Sequence, residues 1–374
     1  MKVLALIEGP AEACYRYRIE AFAWALAERG LHLEAAVLRR DTPGRLAQLC
    51  AAGRADVVLL QRKLLPIWQL VLLRRAARRL IYDVDDAVFQ RDSYSPKGPR
   101  SRVRLGRFWA TVFAADAVIV GNHYLKRRTA TYIGADRIRV IPTCVVPEWY
   151  RPAGHHRVGP RTRLVWIGQG STLASLSRAR AALTAAAERL PGLSLRLICD
   201  RTVDLSPLVV QPRQWSSATE AGELAAGDIG INWLPDDAWS RGKCGLKVLQ
   251  YMAAGLPVVA NPVGMNRRMV VSGETGLLAS TPRQWAEAIA RLAAVPRLRL
   301  AMGGAGRRLV QRRYSVARWG CRFAEVVESV ARGGIGNALP PQHRRAAGPD
   351  PSPARPHNLS VAAAEETAEA QDTF

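Results

Sequence analysis

The stretch "RGKCGLKVLQYMAAGLPVVA", residues 241–260, predicts a helix that runs directly into a buried strand. Its apolar residues recur at helical spacing and form one face: Leu246, Leu249, Met252 and Ala253. Its polar residues recur at positions i, i+4 and i+7 and form another: Lys243, Lys247 and Gln250. Gly255 suits the position that ends a helix, and residues 257–260 have the composition of a strand buried on both faces. The stretch therefore predicts an α/β unit whose helix has a core side and a polar side.

The start of this helix has the composition of an anion-binding site. Gly242 and Gly245 leave the backbone open there, and a helix N-terminus carries free N–H groups and a partial positive charge. Arg241 and Lys243 add two cations, so we expect this position to bind phosphate. The alternative is that Lys243 and Lys247 only solvate a surface helix.

Length and charge restrict the class of protein. The chain has 374 residues, enough for two domains that each have a core. The formal net charge of +23 indicates an anionic partner, which could be a phosphorylated substrate, a membrane surface or nucleic acid. The six cysteines contain no C-x-x-C pair, so neither a zinc site nor a disulfide framework is indicated, and a reducing cytoplasm is expected.

No segment has the features of a signal peptide or a membrane span. The opening "MKVLALIEGP" has too short an apolar run for a signal peptide and no small-residue cleavage site. The longest apolar-rich stretch, residues 64–84, is interrupted by four arginines. We therefore expect a cytoplasmic protein that, if it meets a membrane, is peripheral on the inner face.

Short β-rich runs alternate with helical patterns, which indicates parallel sheets covered by helices on both faces. The strand candidates are residues 2–7, 57–61, 80–84, 117–120, 139–142, 164–168, 193–199, 228–234 and 256–260. Glycine, proline and charge interrupt the pattern at residues 152–163, which we interpret as a linker. Ligands of such sheets bind outside the carboxyl ends of the strands, so two facing domains would place the active site in the cleft between them.

A series of motifs follows along the chain: "DVDDAVF", "AVIVGNHYLKRR", "IRVIPTCVVPEWY", "LVWIGQGST", "DIGINWLPDD", "GKCGLKVLQYMAAGLPVVANPVGMN" and "GETGLL". Their order resembles the retaining nucleotide-sugar glycosyltransferases of the GT-B fold, in particular glycosyltransferase family 4, the group 1 type. The resemblance covers residues 1 to about 330 and is most specific in the stretch quoted first. It implies an α/β fold with two doubly wound Rossmann-like domains facing a central cleft.

The domain boundaries follow from the resemblance and the pattern together. We expect a Rossmann-like acceptor-side domain at 1–155, a Rossmann-like nucleotide-sugar domain at 156–313, a helix at 314–333 that packs back toward the N-terminal domain, and a tail at 334–374. The tail is rich in Pro, Ala and polar residues without core periodicity, so we expect it to be disordered.

This chain carries a variant of the family's paired-glutamate motif, E-x7-E. Aligned on "GLPVVA", the two glutamate positions are Gly242 and Gln250. Gln250 can hydrogen-bond ribose or sugar hydroxyls through its amide, whereas Gly242 offers no side chain. Lys243 and Lys247 keep the positive charge that a diphosphate needs, and together with Arg241 they are the expected phosphate-binding cations of the donor site.

Two loops supply the remaining donor-binding candidates. The family often places a phosphate-binding arginine after the first glycine of "WIGQGST", where this chain has Gln169. The loop still offers backbone N–H groups and hydroxyls: Gly168, Gly170, Ser171 and Thr172. By itself, a Gly-rich turn before a helix needs no ligand. In "NPVGMN", we expect Gly264 and Asn266 to line the sugar pocket.

Three carboxylates follow a strand of the first half in "YDVDDAVF" and should lie at its carboxyl end: Asp83, Asp85 and Asp86. By resemblance, Asp85 contacts the donor sugar or the acceptor hydroxyl and is a catalytic residue beside Lys243 and Lys247, while Asp86 holds the loop. Clustered carboxylates raise at least one pKa, so general-base or metal-ligand chemistry is open to them. Because the family usually works without a metal, no metal site, no Mg²⁺ requirement and no cofactor beyond the nucleotide-sugar are expected.

The acceptor is expected beside the first domain. Arg16 and Arg18, near the first strand–helix turn, are acceptor-side candidates together with Asp83 and Asp86. Arginines cluster in residues 74–79 and 97–107 and favour an anionic membrane or a lipid-linked acceptor. The apolar stripe of the second cluster is expected to lie in the core: Leu105, Phe108, Trp109, Val112 and Phe113.

The resemblance implies transfer of a sugar from a nucleoside-diphosphate sugar to an acceptor hydroxyl with retention, in the synthesis of cell-surface polysaccharide, glycolipid or another glycoconjugate. It implies front-face attack, and double displacement through an aspartate is the alternative. The expected partners are the donor, an acceptor sugar or lipid-linked glycan, and an anionic membrane surface. No nucleic-acid-binding signature accompanies the charge, so nucleic acid is not expected. The alternative function is that of a catalytically silent GT-B homologue acting as a binding or scaffold partner.

Overall fold

A computed structural model describes residues 1–334, so the tail predicted at 334–374 lies outside the described residues except for its first. The N-terminal half is built on one parallel sheet of six strands: β1 Lys2–Ile7, β2 His32–Val37, β3 Val57–Gln61, β4 Leu80–Val84, β5 Ala117–Val120 and β6 Ile138–Val140. Its helices are α1 Ala13–Arg18, α2 Ala23–Ala27, α3 Thr42–Ala51, α4 Ile67–Ala76, α5 Arg102–Ala114 and α6 His123–Ala130. The strand order is β2-β1-β3-β4-β5-β6.

The C-terminal half repeats this architecture with a second parallel sheet: β7 Arg163–Ile167, β8 Ser194–Ile198, β9 Val209–Arg213, β10 Ile229–Asn232, β11 Val258–Ala260 and β12 Gly276–Leu278. Its helices are α7 Ala174–Arg178, α8 Arg180–Arg189, α9 Glu220–Ala225, α10 Ala238–Gly242, α11 Leu246–Ala253, α12 Met265–Met269, α13 Pro282–Ala294 and α14 Pro296–Arg313. The strand order is β12-β11-β10-β7-β8-β9. The predicted fold class, two parallel α/β units, is confirmed.

The final helix, α15 Val316–Ala331, packs on the N-terminal half. Phe323 stacks on Phe22 with 4.8 Å between ring centroids, and both are buried in the core beside β1 and β3. Just before this helix begins, the Tyr314 carbonyl accepts a hydrogen bond from the Val145 N–H of the N-terminal half, at 3.0 Å. The apolar face of α15 thereby completes the core on one side of the first sheet.

The central strands lie where the sequence predicts them, and three edge strands do not appear in the prediction. β3 and β4 are buried at every residue, so they read as apolar runs in the sequence. The missed strands, β2, β9 and β12, all lie at sheet edges. An edge strand buries only part of its surface, and β2 has no fully buried residue, so it lacks the uninterrupted apolar character of β3 and β4.

The opening stretch forms two helices where one was predicted. Helix α10 ends at Gly242 and α11 begins after Gly245, which has a φ of +74°. Lys243 therefore lies in the turn between the helices, and its predicted position on the polar face of the second helix is wrong. Lys247 and Gln250 do lie on α11, but neither lies on a solvated face. Gln250 is buried and contacts Tyr17 of the first domain, and Lys247 is partly buried against Trp166 and Thr172 of its own domain.

Helix α5 also differs from the expectation for its apolar stripe. Phe108 and Val112 are buried in the core, as predicted. Trp109 and Phe113 are 48% and 62% exposed and stack on each other at 5.9 Å, so their predicted core position is wrong. Among residues 1–334, none of the helices has the length and apolar character required to cross a membrane.

Candidate functional site

A cavity of about 840 Å³ lies between the carboxyl ends of the two sheets. In each sheet the strand order reverses beside the first strand: between β1 and β3 in one, and between β7 and β10 in the other. Loops leaving the sheet on opposite sides of such a point open a crevice that binds ligands. Arg62 after β3, Gly168 after β7 and Asn232 at the end of β10 all line the cavity, which we call the cleft.

Lys247 places a partly buried cation against the loop after β7. Its Nζ lies 4.9 Å from the centroid of the Trp166 ring and 3.4 Å from Thr172 Oγ1. Burial lowers the pKa of Lys247 from 10.5 to about 7, and the neighbouring Lys243 ammonium lowers it further. In the described residues, no carboxylate lies within 4.0 Å of Lys247. The cleft therefore holds a cation whose charge an anionic ligand would stabilise.

Lys243 is the second cation of the cleft, and it bridges the two domains. Its Nζ lies 3.8 Å from Asp86 of the first domain and 5.4 Å from the centroid of the Trp239 ring. Asp86 also pairs with Arg62 at 2.7 Å, which agrees with its expected role in holding the loop after β4. The two predicted lysines thus line one cleft from neighbouring positions, although only Lys247 belongs to the helix.

The loop after β7 is shaped around Lys247. A side chain at Gly168 would lie 2.9 Å from Lys247 Cε and 2.6 Å from the Trp166 ring, so only glycine fits there. Ser171 and Thr172 line the cleft as predicted. The N–H of Gly170 already donates to Asp200 at 2.6 Å, and Gly170 does not line the cleft. The prediction that this N–H donates a hydrogen bond to a donor phosphate is therefore wrong.

Asp85 is the carboxylate that remains available to a ligand. It lines the cleft, and its Oδ1 is buried without a hydrogen-bond partner. Burial raises the pKa of Asp85 to about 6, and the neighbouring Asp86 carboxylate acts in the same direction while Arg62 opposes it. A carboxylate of this kind, unpaired on one oxygen and facing a cavity, can accept a hydrogen bond or a proton from a bound hydroxyl.

Asp83 and Arg18 form a closed pair in the first domain. Arg18 donates to both oxygens of Asp83, at 2.9 Å and 2.6 Å, and also to the Ile141 carbonyl at 3.0 Å. Asp83 is fully buried, so its predicted contact with the acceptor is wrong. Arg18 forms part of the cleft wall but is 1% exposed and its hydrogen bonds are occupied, which makes it a structural cation instead of an acceptor ligand.

A backbone contact explains the glycine at the position of the first motif glutamate. A Cβ on Gly242 would lie 2.6 Å from the backbone nitrogen of Ala87, in the loop that carries Asp85. The Gly242 carbonyl accepts a hydrogen bond from Asn122 Nδ2 at 2.8 Å. The first domain therefore fills the space that a side chain at residue 242 would need.

Gln250 joins a buried cross-domain network that sequence reasoning missed. Its Nε2 donates to the Tyr17 hydroxyl at 3.1 Å, and that hydroxyl donates to Glu220 Oε1 at 2.5 Å. Glu220 also accepts from Trp215 Nε1 at 2.9 Å and pairs with Arg16 at 3.3 Å. All five side chains line the cleft. Nothing near Glu220 in the sequence signals this role, because Arg16 and Tyr17 belong to α1 and Gln250, which joins through Tyr17, belongs to α11.

Three predicted donor-binding residues lie away from the cleft. Arg241 pairs with Asp236 at 2.9 Å and, with Gly264, lines a second and smaller cavity. Asn266 is fully buried and accepts a hydrogen bond from Asn232 at 2.8 Å. The donor-contact prediction for these three residues is therefore wrong. Asn266 acts one step back, by orienting Asn232 in the cleft wall.

Comparison with protein-family models matches residues 221–294 to the family described as glycosyl transferases group 1. A search of curated proteins found no match. Similar solved structures include sucrose-phosphate synthase from Thermosynechococcus elongatus, with 17% identity, a TM-score of 0.68, and coverage of 89% of this chain and 99% of that one. HepE from Anabaena, in complex with UDP and glucose, has 18% identity and a TM-score of 0.64 over 88% of this chain and 100% of that one.

A third similar structure is a glycosyltransferase from Rickettsia africae, with 12% identity and a TM-score of 0.60 over 88% of this chain and 98% of that one. The two parallel sheets and the cleft between them belong to the architecture that these structures share. The chain therefore has the GT-B fold that these structures share, and residues 221–294 are similar to the family of glycosyl transferases group 1.

Proposed function

We propose that this chain transfers a sugar from a nucleoside-diphosphate sugar to an acceptor hydroxyl. The observation that carries the proposal is the position of Lys247, a partly buried cation without a carboxylate partner among the described residues, beside the loop after β7 of a GT-B cleft. When the bond between the sugar and the nucleoside diphosphate breaks, negative charge develops on the departing phosphate. Preorganised cations in an enclosed site stabilise such charge in the transition state. Binding of the diphosphate would in turn favour the protonated form of Lys247.

In this proposal the cation for the donor phosphates comes from α11. The loop after β7 has Gln169 where the family often has arginine, and Lys247 reaches the same loop from the opposite side. Lys243 would contribute the second cation. Gln250, held by Tyr17, would offer its amide oxygen to ribose or sugar hydroxyls.

Asp85 would contact the acceptor hydroxyl or the donor sugar. Its unpartnered Oδ1 and the raised pKa of its carboxyl support a role as hydrogen-bond acceptor for the reacting group. We favour retention by front-face attack, with the departing phosphate receiving the acceptor proton, and the alternative is a covalent intermediate on an aspartate. No metal is part of the proposal, since Lys243 and Lys247 would supply the positive charge that the donor phosphates need.

The acceptor side would lie at an anionic membrane. Large apolar side chains are exposed on the neighbouring helices α4 and α5: Ile67, Trp68, Val71, Val103, Leu105, Trp109 and Phe113. Arginines flank them, and exposed aromatic residues with a basic rim suit the headgroup region of an anionic bilayer. A lipid-linked glycan or another membrane-bound glycoconjugate would then be the acceptor class.

The membrane component has its own test. Flotation with phosphatidylcholine vesicles that contain phosphatidylglycerol should recover the native chain and much less of Trp109→Ser. Trp149→Ser is the matched control, because Trp149 is 62% exposed and lies beside α1 and α15 on the other face of the first sheet. Equal recovery of both variants and the native chain would exclude the α4–α5 surface.

A second candidate function is that of a silent homologue that binds a donor without transferring sugar. The contact of Gly242 with Ala87 favours it, because that contact excludes the side chain with which the family holds the donor sugar. Both candidate functions predict that the chain binds a nucleotide, but only the transferase would turn over the donor.

The deciding experiment has two stages. A thermal-shift screen of the native chain with UDP, GDP, ADP, TDP and their sugar conjugates should give one selective stabilisation, and UDP-glucose is the first donor to try because HepE was solved with it. Lys247→Ala should abolish the shift, whereas Lys126→Ala, on α6 outside the cleft, should keep it. No shift with any nucleotide would refute the proposal.

The second stage measures turnover with the donor so identified. Mass spectrometry of acceptor mixtures should show a hexose added by the native chain and not by Asp85→Asn, and the anomeric proton signal of the product reports retention or inversion. Binding without transfer or donor hydrolysis would favour the silent homologue.

A further inference from the structure

The second cavity, of about 340 Å³, also lies between the two domains. It shares no lining residue with the cleft, and Gly242 and Cys244 pack closely against the first domain, at Ala87 and Gly121. One wall is the start of α6, and the other is formed by α10, the loop after β11 and α12. We call it the arginine cavity after its basic lining: Arg127, Arg241, Arg267 and Arg268.

Positive charge in the arginine cavity is largely uncompensated. Arg241 pairs with Asp236 at 2.9 Å. In the part of the chain that the structure describes, the other three arginines have no carboxylate within 4.0 Å. The cations come from both domains and act on the same group. Burial lowers the pKa of His123 first, and Arg268 of the second domain and Arg127 of the first lower it further.

Guanidinium groups that converge on a cavity repel each other, and the repulsion is relieved by an anion between them. Arginine presents a planar fork of N–H donors that matches the oxygens of phosphate in pairs. Tyr124 adds a polar group to the same wall. Asp236 is the carboxylate in the lining, and it already pairs with Arg241.

We propose that the arginine cavity is a second ligand site, which binds a phosphate or diphosphate group and is distinct from the donor cleft. A phosphate held by Arg127 on one side and by Arg267 and Arg268 on the other joins the two domains through the ligand. The proposal does not depend on donor binding or on transferase activity, since it uses none of the cleft residues.

The test is isothermal titration calorimetry of pyrophosphate into the Lys247→Ala chain, in which the donor cleft has lost its partly buried cation. The Arg267→Gln/Arg268→Gln pair added to this background should weaken binding at least about tenfold, since hydrogen bonds to charged groups are involved. The matched control is Arg312→Gln/Arg313→Gln, two adjacent exposed arginines on α14 that change the net charge equally. The control should leave the Kd within about twofold.

A second arm distinguishes the sources of the phosphate. A water-soluble short-chain phosphatidic acid, titrated below its micelle concentration into the same three proteins, should bind more tightly than pyrophosphate if the site takes a lipid phosphate. Pyrophosphate binding without lipid binding assigns a free phosphate ligand. Equal weakening by the control pair, or no weakening by Arg267→Gln/Arg268→Gln with either probe, would overturn the site.

Discussion

Replacement of Lys247 by methionine should make the ligand-free protein more stable, and the same replacement should weaken nucleotide binding. The native pKa of Lys247 falls from 10.5 to about 7 because burial disfavours its charge. One pKa unit corresponds to about 1.4 kcal/mol, which sets an upper limit of roughly 5 kcal/mol on the cost of carrying this cation at neutral pH. Because the side chain keeps some contact with solvent, we expect a gain of about 2 kcal/mol in the free energy of unfolding of Lys247→Met.

The pH dependence of the free energy of unfolding tests whether the lowered pKa of Lys247 causes this difference. Between pH 7 and 10.5 the unfolded chain holds a proton on Lys247 that the folded chain has lost, so native stability rises with pH through this window. The advantage of Lys247→Met should therefore be largest below pH 7, shrink from pH 7 to 10.5, and vanish above it.

Urea denaturation of both proteins at a series of pH values measures this difference, and the contribution of every other titrating group cancels if the two folds agree. In parallel, the Kd for the nucleoside diphosphate should rise at least about tenfold in Lys247→Met, because a charge-assisted contact is lost. Lys126→Met serves as the control for nucleotide binding. A variant less stable than the native chain at pH 7, or a stability difference independent of pH, would refute the reasoning.

Three further outcomes follow from single contacts. Asp85→Asn should lower the rate of transfer by about a hundredfold or more with little change in donor Kd, and native activity should fall as pH drops below about 6, where the Asp85 carboxylate gains a proton. Gly242→Ala should lower the free energy of unfolding, measured by thermal denaturation, by about 1–3 kcal/mol, because the first-domain backbone lies 2.6 Å from the new Cβ. The control Gly106→Ala, at an open helical position, should not lower it. Asp83→Ala should cost about 3–5 kcal/mol in equilibrium unfolding, because Arg18 then remains buried and unpaired, and a loss under 1 kcal/mol would contradict the buried pair.

Local sequence patterns predict most of the architecture. Buried parallel strands are continuous apolar runs, so β3, β4 and β5 could be placed to the residue from the sequence. The edge strand β2 could not, since none of its residues is fully buried, polar His32 and Glu34 interrupt its apolar residues, and its pairing with β1 is a tertiary contact. The two lysines and the loop after β7 were identified because glycine and base cluster within a few residues of a predicted helix start.

The rest of the site depends on residues that are distant in the sequence. Glu220 meets Tyr17 more than 200 positions away, and Arg241 turns into the arginine cavity although its neighbour Lys243 turns into the cleft. Two α/β units, the core faces of their strands and helices, and the charged loops could be predicted because they follow from the local alternation of apolar and polar residues. Burial and steric exclusion arise where the two domains meet, so the surroundings of Lys247, the unpaired oxygen of Asp85 and the need for glycine at residue 242 depend on the folded chain.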